Sequence, residues 1–130
     1  MPMSEEKCIA LLSTTSVDLN AVAATVLYTV PPLKTMIPAF AWVRTSYTGS
    51  HAALVFTVGL STDLDDWVDD TNGDNLAAAG DVIIISPVPS ATPALLQEYV
   101  AGEVISIDVT TAVGVATTGT LYLFGFEDDA

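Results

Sequence analysis

The sequence predicts an all-β protein, an antiparallel β-sandwich of jelly-roll-like form, with an immunoglobulin-like sandwich as the alternative. Three observations point there. Apolar residues fall in short runs that alternate with a period of two, turn signals separate those runs, and Pro31, Pro32 and Pro38 break the longest apolar stretch before a helix could cross it. The immunoglobulin-like alternative lacks the cysteine pair that marks antibody domains, because Cys8 is the only cysteine.

Residues 1–8 are expected to form a flexible leader and residues 9–130 a single sandwich domain. Ile9, Leu11 and Leu12 suggest an edge strand over residues 7–13, and the Ser- and Thr-rich residues 13–16 with Asp18 suggest a turn. Residues 25–30 form a strand with Val26, Tyr28 and Val30 on one face, stopped by Pro31 and Pro32. A second strand runs from Lys34 to about Thr45, with Ile37, Ala39, Ala41 and Val43 on one face and Met36, Phe40 and Trp42 on the other. Apolar groups on both faces mark it as central or as part of an interface. A hairpin loop over residues 45–50 then returns the chain along 51–60, with Leu54, Phe56, Val58 and Leu60 on one side and Ala53, Val55 and Thr57 on the other.

An acidic loop over residues 59–81 follows, carrying Asp63, Asp65, Asp66, Asp69, Asp70 and Asp74 around Trp67. Closely spaced carboxylates are what a calcium ion requires, so these six are the candidate ligands. The calcium-loop pattern fits only in part: with Asp70 first, Asn72 and Asp74 match, but Asn75 takes the glycine position and Asp81 replaces the final Glu. The competing reading is a solvated acidic loop tethered by Trp67, and no cofactor is firmly indicated.

Residues 81–86, DVIIIS, read as a strand buried on both faces, after which Pro87, Pro89 and Pro93 guard a crossing between sheets. Residues 94–100 fit a strand or a short helix. Residues 103–109 alternate Ile105, Ile107 and Val109 with wetter positions, residues 110–119 are small and threonine-rich, and residues 120–126 close the fold with Tyr122, Phe124 and Phe126 on one face. Gly125 there leaves room for a close neighbour.

The chain is 51% hydrophobic and only 15% charged, against about 25% charged residues in typical domains. Apolar surface is therefore left for another chain, and an oligomer is expected with Met36, Phe40, Trp42 and Phe56 at its interface. The formal charge of −13 repels phosphate backbones and disfavours nucleic-acid partners. No apolar run is long enough for a membrane helix. Cys8 allows no intrachain disulfide and reads as a small buried hydrophobe. His51, the only histidine, reads as a surface or turn-supporting residue. Without a second histidine, a paired-cysteine site, a phosphate loop or a nucleophile elbow, the sequence points away from an enzyme.

Read together, LYTVPPLKTMIPAFAWVRT, VGLSTDLDDWVD and GTLYLFGFE resemble segments of small tailed-phage virion proteins. The matching positions are residues 27–31 with Lys34, then Gly59 with Asp65, Asp66 and Trp67, and last residues 121–126 with Gly125. The likeness spans residues 24–127 and departs at Pro32 and Leu33, where small flexible residues are more usual. It implies a capsid decoration (cement, head-stabilisation) protein: non-enzymatic, a homotrimer on the capsid surface of the virion, with the major capsid protein as partner. The alternative is a tail-fibre or receptor-binding module, in which Trp42, Trp67 or Tyr47 stacks on a glycan and the acidic loop holds calcium.

Overall fold

The structure, a computed structural model, describes residues 8–46, 53–87 and 95–130. Among these residues the elements are β1 (Ile9–Asp18), β2 (Ala24–Thr29), β3 (Lys34–Thr45), β4 (Val55–Leu60), β5 (Asp63–Asn72), β6 (Val82–Ile85), β7 (Tyr99–Val100), β8 (Val104–Thr111) and β9 (Thr118–Asp129). They make two antiparallel sheets, ordered β1-β9-β3-β6, with β7 also on β3, and β2-β8-β4-β5. Apart from the two-residue β7, the pairs β1·β9, β2·β8, β3·β6 and β4·β5 are nested one inside the next, as in a long hairpin rolled up on itself. The pairs β3·β9 and β4·β8 close the two sheets. This is a jelly-roll-like sandwich.

The period-two pattern decides which side chains fill the space between the sheets. Ile105, Ile107 and Val109 of β8, Phe56 and Val58 of β4, and Leu121 and Leu123 of β9 are fully buried there, together with Leu54, Met36 and Tyr99. Each large apolar side chain so placed stabilises the fold by about 1.5–3 kcal/mol.

Several sequence expectations give way to the pairing. The segment read as a turn after Leu12 is strand: Ser13 to Asp18 continue β1 along β9, where the Ser and Thr side chains suit a pleated edge. β3 and β4 are not a hairpin. β3 belongs to one sheet and β4 to the other, and residues 47–52 between them lie outside the described residues. In β2 a bulge at Leu27 splits the expected face: Val30 is buried and Tyr28 packs against the core, but Val26 is exposed and Leu27 is buried. β6 is an edge strand rather than one buried on both sides, with Ile85 inward and Val82 and Ile84 outward. Between β6 and β7, Leu95 and Leu96 are exposed in neither strand nor helix. Cys8 is exposed, not buried. Residues 1–7, Tyr47, His51, Pro89 and Pro93, with the expectations placed on them, lie outside the described residues.

At the β2–β3 connection the Lys34 N–H donates to the Pro31 carbonyl at 3.3 Å, closing a tight turn with Leu33 at φ +63°. That conformation ordinarily falls to Gly or Asn at the third turn position. The departure from the phage pattern at Pro32 and Leu33 thus coincides with a strained turn.

Candidate interaction surface

A β-bulge in β3 determines what the outer side of the β1-β9-β3-β6 sheet displays. Pro38 lies opposite Gly125 and Phe40 opposite Phe124, so Ala39 is an extra residue and the alternation slips by one. Before the bulge Met36 and Pro38 point inward, and after it Ala41, Val43 and Thr45 do. Pro38 is tolerated here because it sits at the bulge, in a stretch that neither β6 nor β7 covers. Simple alternation across this point put Met36 with Phe40 and Trp42, and that is corrected: Met36 and Phe56 are at 0% exposure, inside the core, and cannot meet another chain. Phe40 and Trp42 do lie on the outer face.

There they join an aromatic cluster. Phe40 and Phe124 stack with ring centroids 4.8 Å apart, and Trp42 tilts against Phe124 at 4.8 Å. The cross-strand register extends the cluster into rows: Ile9 beside Phe126 and Ile37, Leu11 beside Phe124 and Phe40, and Tyr122 beside Trp42 and Ile84. Trp42 is 42% exposed, Leu11 51%, Ile9 58% and Ile84 64%. These rows contain no carboxylate, and their one charge is Arg44, next to Val82. Asp18 and Asp128 occur only beyond the two ends. Ile9, Leu11, Val82 and Ile84 were missed as members of this surface. Their signal was present in the alternation of β1 and in the short VIII run between Asp81 and Pro87.

The acidic segment has a different character. It is mostly strand, since Asp63 to Asn72 form β5 on the far edge of the other sheet. Asp63, Asp65, Asp69 and Asp70 are exposed along it, and Asp74 lies beyond its end. Among the described residues no three acidic, His or Cys side chains converge on a point that could hold a metal ion. A hydrogen bond with Asp65, then desolvation and the charges of Asp65 and Asp66, holds the Asp63 carboxyl above its ordinary range.

Asp66 is used structurally. Its Oδ1 accepts from the Leu60 N–H at 3.0 Å and from the Tyr99 hydroxyl at 2.8 Å, while the Gln97 side-chain amide donates to its carbonyl at 2.7 Å. It thereby ties the β4–β5 turn to β7. Gly59 makes this possible, because a Cβ there would sit 2.4 Å from Asp66 Oδ1 and 2.6 Å from the Asp63 carbonyl. Trp67, next along, is buried in the core, as the tethering reading required. The glycine and the DDW residues quoted in the phage resemblance therefore form one structural unit.

The residues of the first and last quoted segments also meet. The Tyr28 hydroxyl donates to Glu127, Lys34 pairs with Asp129 at 2.6 Å, and Gly125 admits Leu12 and the Ile37 carbonyl where a Cβ would be 2.9 and 2.8 Å away. Burial, the bond to Glu127 and its charge push the Tyr28 phenol well above its ordinary range. Burial, followed by the bond and charge of Asp66 and then the charges of Glu103 and Asp63, does the same to Tyr99.

Chains of two solved phage capsids have this fold. One, in the acidic stable capsid structure of Helicobacter pylori bacteriophage KHP30, superposes with a TM-score of 0.59 at 13% identity, covering 94% of each chain. The other, in the capsid asymmetric unit of cyanophage Pam1, gives 0.57 at 12% identity over 97% of this chain and 90% of that one. At such identity the likeness is one of architecture. No protein-family model matches the sequence, and no curated protein does.

A groove of about 640 Å³ opens beside the aromatic rows, lined by Ile9, Ile37, Pro38, Trp67, Leu95, Leu96 and Phe126 among others. Its one carboxylate, Asp66, is the residue already bonded to Leu60 and Tyr99. What this surface offers a partner is apolar contact.

Proposed function

We propose that the chain is a non-enzymatic structural protein of a phage virion, which decorates the capsid surface and stabilises the shell as an oligomer, a homotrimer by analogy with the proteins it resembles. The observation that carries the reading is the near full-length likeness to chains of two phage capsids. The one-sided sandwich supports it, with an apolar sheet face opposite one bordered by carboxylates. The mechanism is passive. Repeated weak contacts with the major capsid protein add up because many copies bind one particle.

The test is to mix the purified chain with capsids that lack it, pellet the particles and record their heat resistance. Saturable binding and a higher temperature of capsid disruption are expected. A chain that stays in the supernatant and leaves that temperature unchanged overturns the reading. The receptor-binding alternative is weakened by Trp67, which is buried and unable to stack on a glycan, and Tyr47 lies outside the described residues.

A further inference from the structure

We infer that the outer face of the β1-β9-β3-β6 sheet is where one copy of this chain packs on another. The inference rests on the structural role proposed above and names the surface through which the oligomer forms.

Charge selects the occupant. Two chains that each carry −13 repel, and a contact that trapped Asp or Glu side chains would add a desolvation cost for every one of them. The opposite sheet has Asp108 beside Thr57 and exposes Asp63, Asp65, Asp69 and Asp70 along β5, so copies cannot approach there without burying carboxylates. The rows around Phe40, Trp42 and Phe124 contain none. A basic partner guided by charge would be drawn to β5 and away from this face. A second, equally acidic copy finds here a broad patch whose described rows hold no Asp or Glu.

Size agrees. Three strands about 4.8 Å apart over about eight residues at 3.3 Å each, with the four residues of β6 beside them, give a patch of roughly 450 Å². That is within the range of the largest apolar patch on a monomer, a size that is often functional, and two such patches together bury roughly 900 Å², at the weak end for a specific interface. The association is therefore reversible and concentration-dependent.

Sedimentation velocity on the full chain from about 1 to about 500 µM tests this. The native chain is expected to gain mass with concentration. Ile84→Glu, at an exposed edge position, should weaken association at least ten-fold while keeping the native circular dichroism and urea midpoint, and Trp42→Glu should weaken it as much with the native circular dichroism kept and the midpoint lowered by the lost packing on Phe124. Val26→Glu, exposed on the other sheet, should leave association unchanged. A native chain that keeps the mass of one copy throughout overturns the inference, as does equal weakening by Ile84→Glu and Val26→Glu. Capsid pelleting with the same proteins separates the two proposals. Capsid binding by a monomeric native chain, lost in Ile84→Glu, assigns the face to the shell, so the inference fails while the structural role stands. Self-association that Ile84→Glu abolishes, in a native chain that ignores capsids, sustains the inference and removes the role.

Discussion

Leu33 is the residue whose backbone does least to help the fold. With φ at +63° and its side chain 80% exposed, it bears the strain of a left-handed conformation without compensating burial. Leu33→Asn is expected to raise stability by about 0.5–1 kcal/mol, because Asn tolerates that region; a urea midpoint that rises at unchanged slope is the check. Gly59 is the reverse case. Gly59→Ala drives a methyl into Asp66 Oδ1 and the Asp63 carbonyl and should cost about 1–3 kcal/mol. Tyr99 adds a pH dependence. Its phenol titrates above the unfolded value of 10.0, so its contribution to stability is complete below pH 10 and falls away as pH rises toward the folded value. Urea midpoints should decline above pH 10, and less steeply in Tyr99→Phe, which starts about 1 kcal/mol lower for want of the bond to Asp66.

At the scale of elements, β3 separates core from surface within one strand, and substitutions along it should divide accordingly. Met36→Ala in β3, like Phe56→Ala in the core strand β4, is expected to cost about 2–5 kcal/mol by leaving a cavity, whereas Trp42→Ala in β3 should cost well under half as much in the isolated chain; equilibrium unfolding of the three decides it. β3 also shows how far the sequence could be read. Where pairing keeps its register, alternation was enough: Ile105, Ile107 and Val109 face the core of β8, and Leu121 and Leu123 that of β9. Where an extra residue enters at Leu27 or Ala39, residues expected to share a face were split between the two sides, because a bulge depends on the partner strand and has no local marker. The same limit hid the outer surface. Phe40 and Trp42 were legible as apolar and two residues apart, but their neighbours Leu11 and Ile84 come from strands distant in sequence. β5 was misread because its carboxylates and the Asn72-Gly73 turn signal outweighed a strand whose pairing with β4 is what holds it.

At the scale of the molecule, the distribution of charge makes self-association sensitive to salt. The chain carries −13 overall while the proposed contact has no acid, so repulsion acts through solvent between peripheral carboxylates. Raising NaCl from about 50 to about 500 mM shortens the screening length from roughly 14 to 4 Å and should strengthen association; weaker association at high salt would mean that ion pairs, not apolar contact, hold the copies together. The nested strand pairing carries a separate, temporal consequence. β1 finds its partner only in β9, with Ile9 opposite Phe126, and β2 finds its partner only in β8. Among the described residues, only β4 and β5 are neighbours both in sequence and in the sheet. Loop-closure entropy favours forming that inner pair before the distant ones, and refolding is expected in the millisecond-to-second range of non-local β proteins. Until β9 arrives, a growing chain holds the hydrophobic residues of β1 without a partner strand and β3 paired only on its β6 and β7 side, and that interval is when it is most open to aggregation.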